Sequence, residues 1–222
     1  MIARVLHIVP SLVPYGLERI VGTLAVMTSR QRFEVSVASL FAEQPGSLAA
    51  SVEAQGVRVF HLGKRHGLDA RMFWRINRLL EELHPDIVHT HNYVLRYTLP
   101  ATLRHRTPIV VHTIHNVADH EVDRLGVWLQ RVAFRLGVQP VVIAEAAAAS
   151  FERVYRMPRP SLIMNGIDVA RHAVPAIGRE NWRRREGFQS DDLLFVCVAR
   201  LDKQKNHRDL LQAFAAGPAR LT

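Results

Sequence analysis

Seven short runs rich in β-branched and aliphatic residues recur along the first three-quarters of the chain, each separated from the next by a longer stretch, several with helical periodicity. That alternation constrains the fold more than any other feature. The runs are Arg4–Val9, Glu34–Ser39, Val57–Leu62, Asp86–Thr90, Ile109–Ile114, Pro140–Ile143 and Ser161–Met164. Between the first two, Leu17, Ile20, Val21 and Leu24 fall at i, i+3, i+4 and i+7, the stripe of a helix packed on one face. Asp69–Leu83 opens on an N-cap residue type and carries Phe73, Ile76, Leu79, Leu80 and Leu83 along one side. Strands and helices in alternation form right-handed βαβ units around a parallel sheet. The runs lack clean polar alternation, as strands covered on both faces do. The expected fold is α/β, a doubly wound, Rossmann-like parallel sheet.

Sheets of this kind bind ligands at the carboxyl ends of their strands. Four loops therefore become candidates: Pro10–Gly16, His89–Asn92, His115–His120 and Asn165–Asp168. Beyond Asp168 the character changes. Pro175, two glycines and the basic residues Arg179 and Arg183–Arg185 read as a linker with a short helix. Leu193–Ala199 reads as a strongly apolar strand, followed by a helix from about Asn206 to Ala216. The expected division is a first domain over 1–168, a linker over 169–191 and the incomplete start of a second domain over 192–222. A domain of about 100 residues cannot be built from so short a piece. A fragment, a truncated gene product or one piece of a split enzyme is expected.

Several function classes drop out. No G-x-G-x-x-G follows the first strand, and neither a P-loop nor a G-x-S-x-G elbow is present. The net charge of +9 favours anionic partners: nucleic acid, anionic lipid headgroups or phosphorylated substrates. The basic residues are scattered and no zinc-finger or RNA-binding signature accompanies them, so nucleic acid is not expected. A single cysteine, Cys197, excludes an internal disulfide framework and a cysteine zinc cluster, which fits a reducing cytoplasm. No signal-peptide pattern opens the chain and no window approaches the roughly 20 apolar residues of a membrane span. In Arg124–Leu136, Arg124, Arg131 and Arg135 form a stripe flanked by Trp128 and then by Leu125, Leu129, Val132 and Leu136. Such a helix can lie on anionic lipid, or cover a sheet with a solvated arginine edge.

The first loop runs Tyr15-Gly16-Leu17-Glu18-Arg19, with Gly16 where strand turns into helix. A glycine there lets backbone N–H groups approach an anion such as phosphate, and is equally compatible with a plain turn. Asp86-Ile87-Val88-His89-Thr90-His91 and His112-Thr113-Ile114-His115-Asn116 put histidines at two successive strand ends. Asp119, His120, Glu121 and Asp123 follow closely, without the H-E-x-x-H spacing of a metal site. Asn165-Gly166-Ile167-Asp168 follows the seventh strand, and Arg200 and Lys205 stand five apart in Ala199-Arg200-Leu201-Asp202-Lys203-Gln204-Lys205-Asn206.

These motifs resemble those of the retaining two-domain (GT-B) glycosyltransferases of family 4, over essentially the whole chain but only the first half of that architecture. The family's Gly-Gly pair before Glu-Arg appears with Tyr15 in place of the first glycine, and its Gly-Arg with Ala199 in place of Gly. The resemblance implies an N-terminal, acceptor-side domain with a remnant of the nucleotide-sugar-binding domain. It implies transfer of a hexose-type sugar from a UDP- or GDP-linked donor, with retention, to a glycan or lipid-linked acceptor. By the same resemblance His115 is the catalytic residue. Arg200, Lys205 and Gly16 bind the donor diphosphate, and His91, Asn116, Asn165 and Asp168 stand in the cleft. Asn206 replaces the family's glycine after Lys205 and is expected to cap the following helix. No cofactor and no protein-bound metal are implied. The expected location is cytoplasmic, with peripheral contact to the inner face of the plasma membrane. Two other readings stay open: a non-catalytic acceptor-binding or membrane-docking subunit that needs a partner chain, and a GT-B nucleotide-sugar epimerase.

Overall fold

All seven expected strands of the first domain form, and every pairing is parallel. The computed structural model describes residues 2–167, 169 and 176–217 and divides the chain into two units, Met1–Ile167 and Asp168–Thr222. In the first unit β1 (Ala3–Val9), β2 (Phe33–Ser39), β3 (Arg58–His61), β4 (Ile87–His91), β5 (Ile109–Ile114), β6 (Gln139–Val142) and β7 (Ser161–Leu162) build one sheet. Their order is β3-β2-β1-β4-β5-β6-β7. Parallel neighbours need a crossover, and helices supply it. They are α1 (Gly16–Met27), α2 (Ala49–Glu53), α3 (Arg71–Leu83), α4 (Leu95–Arg104), α5 (Ala118–Glu121), α6 (Arg124–Arg135) and α7 (Glu145–Tyr155). The winding runs outward from β1 to β3, then restarts at β4 on the other side of β1. The strand order therefore reverses between β1 and β4, where doubly wound sheets open a crevice.

The two-residue period of the strands sorts side chains between the faces. Leu6 and Ile8 join Ala38, Met72, Ile76, Leu80 and Val88 in one core. Val9 and Val37 turn the other way, onto Val21, Ala25, Val52 and Val57. A third core lies among β5, β6, α6 and α7, with Ile114, Ala133, Phe134, Val142, Phe151 and Tyr155. By parity His7 shares the face of Val9.

Three helical expectations shift. The inward face of α1 is Glu18, Val21, Gly22 and Ala25, and Leu24 is exposed. A side chain added at Gly22 would sit 3.4 Å from Val52 Cγ2, so small residues bring α1 close to α2 and the larger aliphatics move to the rim. In α3, Met72 rather than Phe73 enters the core, and Phe73 lies tilted against Tyr97 at 5.5 Å. The N-cap of α3 is Ala70; Asp69, one residue earlier, accepts from the backbone N–H groups of Arg65 and Arg71 at 2.8 and 3.2 Å. The helix stops at His84, whose left-handed φ of 45° and N–H bond to Leu80 close the last turn before Pro85.

The second unit holds α8 (Ala176–Arg185), a 3-10 turn at Lys203–Lys205 and α9 (His207–Ala216). Arg183 is buried, donating from Nε and Nη2 to the Gln189 carbonyl and from Nη2 to the Asp192 carbonyl. Leu193–Ala199 forms no strand, contrary to expectation. A strand needs a hydrogen-bonded neighbour, and among the described residues none pairs with it. Leu193, Phe195, Val196, Val198, Leu211 and Phe214 are all exposed, and α9 buries none of its residues. Asn206 occupies the N-cap of α9 with φ 50°, but its side chain bonds Asp209 Oδ2 at 2.6 Å instead of the backbone.

Candidate active site

The carboxyl ends of β1, β4 and β5, three adjacent strands, carry four of the eight candidate residues, Gly16, His91, His115 and Asn116. Register places His7 of β1 beside His89 of β4, with His91 two residues further on the same face. The His7 and His89 rings are 5.0 Å apart, those of His89 and His91 4.2 Å, and those of His91 and His115 5.3 Å. His7 Nδ1 and His91 Nε2 are separated by 3.4 Å, and His91 Nδ1 and His115 Nε2 by 3.0 Å. His89 Nε2 meets Thr113 Oγ1 at 2.7 Å. A row of imidazoles thus runs from inside β1 to the loop after β5.

Burial governs the charge of that row. Desolvation lowers His7 and His115 to about 4. His89 and His91 lie well below the usual imidazole range, first through desolvation and then because neighbouring imidazoles repel a second positive charge. All four rings are neutral near pH 7, each with one donor and one acceptor nitrogen.

A separate network lies on the opposite face. Tyr155 donates its hydroxyl to Gln130 Oε1; Gln130 Nε2 stands 2.9 Å from His112 Nε2; His112 Nδ1 stands 2.8 Å from Thr90 Oγ1; and Thr90 donates to the Val111 carbonyl at 3.2 Å. One tautomer of neutral His112, protonated at Nδ1, satisfies every member. Burial, with the charge of His115 as a further cause, pushes His112 down to about 3.

The loop after β5 is tied from below by Glu121 of α5. This buried carboxylate accepts from the backbone N–H of Asn116 at 3.1 Å and of His115 at 3.4 Å. Burial raises it to about 7, against the lowering effect of those bonds. Ser150 of α7 accepts from the N–H of Ala118 at 2.8 Å and holds the next turn. The loop after β1 is closed differently. Ser11 Oγ donates to the buried Glu18 at 3.4 Å, and Arg19 Nε donates to the Pro14 carbonyl at 3.3 Å. The Glu-Arg pair of the motif therefore clamps the loop. Burial raises the Glu18 carboxyl, its hydrogen bonds opposing. Gly16 begins α1, exposed, and a methyl group added there would meet no atom within 4 Å. Open space in front of the first turn is what an approaching anion needs.

The structure thus joins His91 to His115 directly, and places Asn116 next to them with its backbone held by Glu121. Asn165 and Gly166 are exposed after β7, two strands from β5, or about 10 Å at the usual spacing. Asp168 lies outside the described residues. Arg200 and Lys205 belong to the second unit and are exposed; the Arg200 carbonyl accepts from His207 Nε2 at 2.7 Å, and Lys205 ends the 3-10 turn. His7, Glu18 and Glu121 were not among the expected site residues. The signal for His7 was a lone polar residue inside the apolar run of β1. For Glu121 it was a carboxylate one short turn beyond a histidine-bearing strand end.

In α6, Gly126, Gln130, Ala133 and Phe134 face inward and Arg131 donates to the Val154 carbonyl, so this arginine leaves the expected solvent stripe. Leu125, Trp128 and Leu136 stay exposed beside Arg124 and Arg135. No helix among the described residues is long and apolar enough to cross a membrane. A groove of about 470 Å³ lies at the other end of the sheet, lined by Ile2, Phe33, Gly56 and Arg58 among others.

Comparison with known proteins adds a family. The sequence model described as Glycosyltransferase Family 4 matches residues 14–171. A crystal structure of a glycosyltransferase from Rickettsia africae ESF-5 superposes with a TM-score of 0.76 at 14% identity, covering 96% of this chain and 57% of that one. Sucrose-phosphate synthase from Thermosynechococcus elongatus gives a TM-score of 0.67 at 14% identity, over 97% of this chain and 60% of that one. The lipopolysaccharide outer core galactosyltransferase WaaB gives 0.57 at 12% identity, over 75% and 46%. At such identities the likeness shows the fold, and the chain spans less than two-thirds of each of these structures. A search of curated proteins found no match.

Proposed function

The chain belongs to Glycosyltransferase Family 4, and we propose that it provides the acceptor-side half of an enzyme that moves a sugar from a nucleotide diphosphate sugar to a glycan or lipid-linked acceptor. The second unit, carrying Arg200 and Lys205, is the start of the donor-side half. The donor is UDP- or GDP-linked, transfer retains the anomeric configuration, and no cofactor is required.

The observation that carries the reading is the His91–His115 hydrogen bond at the carboxyl ends of β4 and β5. With Nε2 of His115 accepting from His91 Nδ1–H, the remaining Nδ1–H of His115 is a donor. A neutral donor suits a sugar hydroxyl or an oxygen of the departing diphosphate, and low basicity keeps it neutral. The bond from the anomeric carbon to diphosphate breaks as the acceptor oxygen bonds that carbon on the same face. The acceptor proton leaves with the diphosphate oxygen. Negative charge growing on that oxygen is met by the first turn of α1 at Gly16; Arg200 and Lys205 of the second unit are the cations assigned to the donor diphosphate by the family resemblance. The apolar residues Leu125, Trp128 and Leu136, flanked by Arg124 and Arg135, support contact with an anionic membrane surface where a lipid-linked acceptor resides. The site would serve cytoplasmic assembly of a polysaccharide or glycolipid.

The test is substitution in the complete enzyme. His115→Ala should lower kcat by about 10²–10³-fold with its melting temperature unchanged, because a contact made mainly in the transition state is removed. Lys205→Ala should in addition raise the donor KM. Near-normal kcat in folded His115→Ala removes the residue from the chemistry, and inverted product removes the retaining mechanism.

A further inference from the structure

We propose that His7, His89 and His91 form a binding site for one divalent transition-metal ion, with zinc its best occupant. The inference does not depend on the transferase reading. No spacing in the sequence announces it, because the ligands come from two strands that only the sheet aligns. Register sets His7 against His89 across the β1–β4 ladder, and the pleat returns His91 to the same face. One ring nitrogen of each lies within 4.8 Å of the other two. His7 Nδ1 and His91 Nε2 are already 3.4 Å apart. A tetrahedral zinc with Zn–N bonds of about 2.0–2.1 Å has its nitrogens about 3.3–3.4 Å from one another. One edge of the coordination polyhedron is therefore preformed, and small ring rotations close the others.

Two of the three rings are oriented by a hydrogen-bonding partner. His91 presents Nδ1 to His115 Nε2 at 3.0 Å while its Nε2 faces His7, and His89 keeps Nε2 on Thr113 Oγ1. The rings are neutral, the form that binds metal. His7 and His91 are buried and His89 partly so, which limits competition from bulk water while leaving a side of entry. Three imidazoles with no carboxylate in the group select zinc, copper or nickel over magnesium, calcium and manganese. The fourth position falls to water, as in three-histidine zinc sites. Through His91 the ion would also polarise the hydrogen bond to His115.

Chelator-treated 222-residue protein, titrated with zinc against a chromophoric chelator, should bind one equivalent with submicromolar affinity. The same protein with cobalt should develop the visible bands of a four-coordinate nitrogen site. His89→Gln, the least buried of the three, should weaken binding by about 100-fold or more and erase the cobalt bands while circular dichroism stays native. His7→Gln should do the same, and if it fails to fold, His89→Gln alone decides. The exposed His120→Ala should change nothing. Binding only at millimolar zinc, or equal affinity in folded His89→Gln, would overturn the proposal.

Discussion

Acid should weaken this fold through buried His112, and the size of its effect follows from where that histidine sits. His112 is fully buried, takes one hydrogen bond from Gln130 and gives one to Thr90, and has no water to receive a second proton. Its folded value is about 3, against 6.5 when exposed. Between those values the unfolded chain binds the proton and the folded chain does not, so stability falls as pH drops below 6.5 and stops falling through this group near pH 3. From pH 7 to pH 5 the loss comes to about 2 kcal/mol at 1.36 kcal/mol per pH unit, reaching about 4 kcal/mol at pH 3. The assay is urea unfolding of wild type and His112→Gln at pH 7 and pH 5. Other histidines titrate in both proteins and cancel in the double difference. The variant starts less stable at pH 7, since Thr90 and Gln130 lose their fitted partner, but its further loss on acidification should be about 2 kcal/mol smaller. Parallel pH dependence in the two proteins would refute the claim that His112 stays neutral inside the network.

Removing the Tyr155 hydroxyl, Tyr155→Phe, should cost about 1–2 kcal/mol in urea unfolding by orphaning Gln130, without altering the pH slope set by His112. Glu121 has the opposite sign: its folded value near 7 lies above the ordinary 4.5, so its carboxyl costs stability as pH rises from 4.5 to 7. Glu121→Gln should therefore gain relative to wild type across that window in thermal melts, and an unchanging difference would contradict the burial argument. A chain ended near Asp168 should run more monodisperse on size exclusion than the 222 residues, because it removes the exposed Leu193, Phe195, Val196 and Val198. Liposome flotation should depend on anionic lipid and fall in an Arg124→Glu, Arg135→Glu variant; lipid-independent behaviour rejects membrane contact by α6.

The sheet was legible in the sequence because strands buried on both faces keep a near-continuous apolar signature, and all seven strands of the first unit appear where that signature lies. The same signature misled at Leu193–Ala199. Apolar composition records what a segment would like to be covered by, whereas a strand also needs a paired neighbour. Helix faces were read from periodicity, which favours large aliphatics; in α1 the close approach of α2 selects Gly22 and Ala25 instead, and turns Leu24 out. Within the site, the pattern put His91 and His115 at strand ends, while their roles were read from the family resemblance. Their bond, and the part of His7, depend on the β1–β4 register, which no local pattern encodes. The Glu18-Arg19 pair was visible as a motif, but its work of closing the loop onto Ser11 and Pro14 is a matter of geometry.

The most direct test of the central claim uses the 222-residue chain itself and a panel of UDP- and GDP-sugars, followed by nuclear magnetic resonance of the backbone amides and histidine rings. Weak binding is expected at the open face formed by the strand-end loops, with dissociation constants of the order of millimolar. The shifts should concentrate at Gly16, His115 and Asn116, and His115→Ala should weaken the amide shifts at Gly16 and Asn116 while leaving the amides of β2 and β3 unmoved. Shifts confined to the groove around Phe33 and Arg58, or none at millimolar donor, would contradict the assignment of these strand ends to a nucleotide sugar.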